Sequence, residues 1–127
     1  MVTVDTVIFL FEKESSAQKV LLIKRGNEPY KNSYALPGGF PEIGLQEETG
    51  LQNIELTQLA AYDAVERDPR GRNVAVAFVG KTTELNCKVV AGDDACEAQW
   101  FSIQNLPPLA FDHKQIIEDA MGKIGLK

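Results

Sequence analysis

A chain of 127 residues has room for one domain, expected to span 1–127, and hardly for two. Hydrophobic residues make up 44%, enough for an ordinary folded core, and a formal net charge of -5 argues against broad nucleic-acid binding through counterion release. Two cysteines, Cys87 and Cys96, outside any CxxC or Cys/His set, leave a zinc site without support and read as reduced thiols.

Val4 to Phe11 is β-branched and aromatic and predicts a strand, followed by Glu12 to Ser16 as a polar link. Asp5 interrupts this first apolar run and no basic segment precedes it, so no signal peptide is expected. No run approaches transmembrane length, and the expectation is a soluble cytoplasmic protein with no membrane partner. Lys19 to Lys24 predicts a second strand in hairpin with the first. Gly26 to Ser33, with Gly, Asn and Pro, predicts a loop.

Leu45 to Thr49 can form about one helical turn, too short to pack by itself. Ile54 to Ala64 predicts a strand and Glu66 to Asn73 a charged loop. Val74 to Val79 is continuously apolar and predicts a strand buried on both faces. Cys87 to Ala91 and Ala98 to Ser102 predict further extended pieces. After Pro107-Pro108, Asp112 and Gln115 form a capping-box pattern. Ile116, Ile117, Ala120, Met121 and Ile124 follow at helical spacing, which predicts a core-packing stripe.

The chemistry-bearing stretch is ALPGGFPEIGLQEETGL, Ala35 to Leu51. Hard divalent cations take oxygen ligands, and Glu47-Glu48 offers two carboxylates side by side. Gly38-Gly39 lets main-chain groups approach a ligand closely. The alternative is a solvated helix face at Glu47-Glu48, with Gly50 as a C-cap.

These residues resemble the Nudix hydrolases, whose box reads G-x5-E-x7-R-E-U-x-E-E-x-G-U, with U a bulky aliphatic residue. Gly39-Phe40-Pro41-Glu42-Ile43-Gly44 is similar to its start and Leu45-Gln46-Glu47-Glu48-Thr49-Gly50-Leu51 to its end. The halves abut, so the first Glu, the spacer and the Arg-Glu pair are missing, about ten residues or ~15 Å of helix. Lys24-Arg25-Gly26, Pro29-Tyr30-Lys31 and Leu36-Pro37-Gly38-Gly39 match the usual approach to the box. Asp68-Pro69-Arg70-Gly71-Arg72, Glu97 to Phe101 and Leu109 to His113 resemble the ADP-ribose pyrophosphatase branch.

The resemblance implies an α/β (α+β) fold, a Nudix-type α/β/α sandwich with a mixed central sheet. It implies hydrolysis of ADP-ribose, or a related nucleoside diphosphate linked to X, to AMP and a sugar phosphate, with Mg2+ or Mn2+. Gly39, Glu47 and Glu48 would hold the metal, and Glu48 and Glu97 would be catalytic, Glu97 as base or extra ligand. Arg25 and Arg70 fit phosphate or a terminal ribose, or are solvated surface charges. Asp68 suits ribose hydroxyls or simple turn chemistry. Phe111 would wall a nucleotide pocket or pack in the core, and Tyr30 and Tyr34 can stack on adenine. Trp100 reads as core, and His113, the only histidine, as structural or solvent-facing. The partner implied is a small-molecule nucleotide, with no nucleic acid; a homodimer is compatible. Full activity depends on the missing box segment, without which the expected role is a non-catalytic nucleotide-binding module.

Overall fold

The β-branched N-terminal run fits a pleated surface and forms β1 (Val2–Lys13), from which the chain returns as β2 (Ser16–Arg25). The two pair antiparallel as the predicted hairpin, with Phe9 opposite Val20 and Lys13 opposite Ser16. The computed structural model describes residues 2–13, 16–38, 56–63, 71, 74–83 and 95–124. Further elements are β3 (Tyr34–Ala35), β4 (Leu56–Tyr62), β5 (Val74–Thr83), β6 (Ala95–Ser102) and the helix α1 (His113–Lys123).

All six strands join one mixed sheet. β1 runs parallel to β5, from Val2 opposite Val74 to Phe11 opposite Thr83. The other strand pairings are antiparallel, with β4 beside β5 and β6 beside β2.

The registers define a fork. At the hairpin end β2 pairs with β1; farther along, Ile23 and Lys24 pair with Ala35 and Tyr34 of β3 instead. β6 occupies the other edge of β2 throughout, from Lys19 opposite Ser102 to Arg25 opposite Ala95. β3 therefore lies on the β1 side, where the two long strands diverge. The chain after β3 reaches across to β1. Asp5 bridges Gly38, and the Thr6 N–H donates to the Pro37 carbonyl at 2.9 Å. Residues 34–38 thus fill the fork, with Gly38 at its tip.

Alternation along β1 sends side chains to opposite faces. Val7 and Phe9 join Val20, Leu22, Leu36, Ala77 and Val79 beneath α1, which contributes Ile116, Ile117 and Ala120. On the other face Ile8 and Leu21 pack with Leu56 and Trp100. The predicted helical stripe is the docked face. A polar contact adds to it: the Tyr62 hydroxyl donates to Asp119 Oδ2 at 2.6 Å, and Gln115 Nε2 donates to Asp119 Oδ1 at 2.9 Å.

Two local expectations are corrected. Asp112 occupies the N-cap position without a side-chain cap hydrogen bond, and Gln115 reaches forward to Asp119 rather than back. Within the stretch Val74 to Val79 full burial is reached on the helix side, at Ala75, Ala77 and Val79, while Val74, Val76 and Phe78 are half-buried; Gly80 and Thr82 farther along β5 are buried. The strand expected at Cys87 to Ala91 and the helical turn at Leu45 to Thr49 lie outside the described residues. The described part is a mixed α/β arrangement, as expected, with α1 covering one face.

Candidate functional site

Arg25 ends β2 at the open end of the fork and closes the loop that follows. Its N–H donates to Ser33 O and its carbonyl accepts from Asn32 N–H, both at 2.9 Å. Its Nε donates to Pro29 O at 2.7 Å, so the side chain is tied to the loop as well. Ser33 N–H donates to Tyr30 O at 3.0 Å, and Lys31 N–H donates to Glu28 Oε1 at 3.1 Å.

The Arg25 guanidinium lies over the Phe111 ring, 5.0 Å from its centroid. Such a stack is an attraction between a cation and the negative face of the ring. Tyr30 meets the same ring edge to face at 4.8 Å and remains 41% exposed. The described non-glycine residues with positive φ are Tyr30 (61°), Asn32 (71°) and Phe111 (53°), all beside Arg25. A left-handed backbone is costly for a residue with a side chain, and such strain concentrates at ligand sites.

Next to this cluster is a buried polar pair. His113 is 3% and Asp5 7% exposed. The Leu36 N–H donates to His113 Nδ1 at 3.0 Å. With Nδ1 accepting, the ring proton belongs on Nε2, which lies 3.4 Å from Asp5 Oδ2. The Phe111 and His113 ring centroids are 5.3 Å apart, which joins the pair to the Arg25 cluster. Asp5 is the residue missed by sequence reasoning. A lone Asp in an apolar strand was the available signal, because a buried carboxylate needs a partner. His113 is structural rather than solvent-facing.

The structure brings Arg25 and Phe111 together and adds Tyr30. Tyr34, the first residue of β3, packs edge to face on Phe101 at 4.8 Å. Glu97 pairs through its main chain with Lys24, next to Arg25. The register skips Cys96 there, a bulge at the same end of the sheet. Gly38, which bridges Asp5, immediately precedes Gly39. Gly39, Glu47, Glu48, Asp68 and Arg70 lie outside the described residues. Gly71, just after Arg70, is exposed with φ 128°, a conformation suited to glycine. Among the described residues no three His, Cys, Asp or Glu side chains gather as a metal site. No described helix is long and apolar enough to cross a membrane.

No protein-family model matches the chain. An ADP-ribose pyrophosphatase from Methanocaldococcus jannaschii is 43% identical, over 94% of this chain and 72% of that protein. That alignment has 130 positions but takes in about 119 of the 127 residues here (94%), so about eleven positions have no counterpart. An ADPR-responsive transcriptional repressor from Acinetobacter baylyi is 29% identical over all of this chain and 55% of its own length. Among solved structures, a MutT/nudix family protein from Enterococcus faecalis superposes with TM-score 0.85. It is 32% identical, over 98% of this chain and 61% of that one. The NUDIX domain of Shewanella oneidensis NrtR, complexed with ADP ribose, gives TM-score 0.84 and 29% identity, over 98% of this chain and 88% of that one. The chain thus spans little more than half of the repressor and under two thirds of the Enterococcus protein. With the fork, Gly38 at its tip and a 43% identical relative matched over most of its length, the chain belongs to the Nudix hydrolase family and is a homologue of ADP-ribose pyrophosphatase.

Proposed function

We propose that this single Nudix domain hydrolyses the pyrophosphate of ADP-ribose, or of a related nucleoside diphosphate linked to X, in the cytoplasm. The products are AMP and a sugar phosphate. The observation that carries the reading is the assembly of Arg25, Tyr30 and Phe111 at the open end of the fork. A guanidinium beside exposed aromatic surface suits a ligand that is part phosphate and part flat ring.

In this reading the Arg25 fork binds phosphate or terminal ribose oxygen, and Phe111 walls the nucleotide pocket with Tyr30 on its edge. Arg70 and Asp68 act on the same substrate from the charged loop. Gly39, Glu47 and Glu48 hold Mg2+ or Mn2+, with Glu48 and Glu97 as the catalytic carboxylates. The ion, when bound, neutralises charge developing on the pyrophosphate and lowers the pKa of the attacking water. The test is AMP release from ADP-ribose with excess enzyme and Mg2+ or Mn2+, abolished by EDTA and by Glu48→Gln. No product from ADP-ribose, NADH or nucleoside triphosphates under those conditions refutes hydrolysis.

A second reading is favoured by the join between Gly44 and Leu45, where the box lacks its Arg-Glu pair. With that pair absent the domain binds ADP-ribose without turning it over. Its similarity to an ADPR-responsive repressor supports this reading. Calorimetric binding of ADP-ribose with no AMP formed would favour it over the first.

A further inference from the structure

We propose that Asp5 and His113 are positioning residues for the reaction, a buried clamp that sets where the glycine-rich segment leaves the sheet. The inference rests on the hydrolase reading above. Three tethers hold residues 36–38. The Leu36 N–H donates to His113 Nδ1 at 3.0 Å, the Thr6 N–H donates to Pro37 O at 2.9 Å, and Gly38 bridges Asp5. Asp5 acts twice: its main chain takes Gly38, and its carboxylate stands 3.4 Å from His113 Nε2. The contacts close a ring that runs from Asp5 to His113, on to Leu36 and Pro37, and through Gly38 back to Asp5.

The fork explains why a side chain is used. Ala35 pairs with Ile23 of β2 and Gly38 with Asp5 of β1. Leu36 sits where the chain crosses from one strand to the other, and its N–H needs an acceptor from elsewhere. An imidazole accepts on one nitrogen and is oriented through the other. An apolar pair would fill this space with less desolvation cost but would leave the crossing N–H unsatisfied. Gly38 immediately precedes Gly39, which in the proposed reading contributes to the metal shell. A displacement of about 1 Å at such a point costs on the order of 100-fold in rate.

The test compares His113→Leu, His113→Asn and Asp5→Asn with wild type and with Tyr62→Phe. Tyr62 lies on β4, away from the fork, and the last variant controls for general destabilisation. Asn at 113 can place an acceptor near the Nδ1 position, and Asn at 5 can still accept from Nε2–H. We expect His113→Leu to lose at least ~10-fold in kcat for ADP-ribose at nearly constant KM, since a group made for the transition state has been moved. His113→Asn and Asp5→Asn recover to within ~3-fold of wild type, and Tyr62→Phe keeps full kcat. Amide exchange at Leu36 reads the same contact without turnover. It accelerates in His113→Leu and stays slow in His113→Asn. An unchanged kcat in folded His113→Leu overturns the positioning role, as does a loss that the Asn variant fails to restore. Absence of turnover in the wild type instead refutes the hydrolase reading and, with it, any role in that reaction. If His113→Leu does not fold, Asp5→Leu and His113→Asn carry the comparison. Equal kcat in that pair overturns the proposal.

Discussion

Replacing Tyr62 with Phe removes one oxygen atom and with it the link from β4 to α1. The Tyr62 hydroxyl donates to Asp119 Oδ2 at 2.6 Å, a short bond to a charged acceptor. A shielded bond of this kind contributes about 1.5–3 kcal/mol, whereas exposed charged pairs contribute roughly 0–1. Asp119 is exposed and Tyr62 half-buried, so the expected loss is about 1 kcal/mol. Unfolding entropy of ~2.1 cal/mol/K per residue over 127 residues is about 0.27 kcal/mol/K. The melting temperature should therefore fall by about 4 °C.

The pH dependence gives a second reading of the same contact. Burial first, then the hydrogen bond to Asp119 and the charges of Asp119 and Asp112, push the Tyr62 hydroxyl well above the ordinary tyrosine range. The unfolded chain loses this proton near pH ~10 and the folded chain keeps it longer. Above that point the folded state binds more protons, so its stability falls as pH rises. The advantage of wild type over Tyr62→Phe is complete below about pH 10 and shrinks above it. Thermal melts from about pH 8 to pH 11 measure both effects, with Asp119→Ala closing a double-mutant cycle. Equal melting temperatures at neutral pH, or a gap that widens above about pH 10, would refute the reasoning.

Two further outcomes follow from the core and the Arg25 cluster. Arg25→Ala should weaken ADP-ribose binding about 10- to 100-fold by calorimetry, equivalent to one charge-assisted contact. Arg25→Lys should not restore it, because an ammonium lacks the planar fork. Undiminished affinity in Arg25→Ala removes this residue from the site. Ile117, fully buried under the sheet, should cost about 2–5 kcal/mol when cut to Ala, lowering the melting point by roughly 7–18 °C. A loss below about 1 kcal/mol would contradict the packing described.

The long elements were legible because their patterns are local. β1, β2 and β5 are apolar runs of strand composition, and the Ile116, Ile117 and Ala120 stripe repeats at helical spacing. β3 has two residues and no period to detect; it exists because β1 and β2 part around it. The capping-box pattern did not decide the helix start: Asp112 makes no side-chain cap hydrogen bond, and Gln115 Nε2 donates to Asp119, one turn on. At the site, Arg25 and Phe111 were named separately, by residue type and by family resemblance. Their stacking across the fold follows from β6 and α1 returning to the fork, which no local pattern encodes. Asp5 was visible as an oddity in an apolar strand. Its partner lies near the other end of the chain, beyond the reach of spacing arguments.

The clamp also has a consequence for the order of assembly during synthesis. A nascent chain that has emerged only as far as Asp112 already carries the glycine-rich segment, Glu47, Glu48, Glu97, Arg25 and Phe111. It still lacks the imidazole that takes the Leu36 N–H. β1 must likewise wait for β5, whose first residue, Val74, pairs with Val2. Contacts this far apart in sequence close late, because the intervening loop loses entropy first. The site proposed for catalysis therefore matures only after α1 has been synthesised and docks, which locks a crossing made 77 residues earlier in the chain.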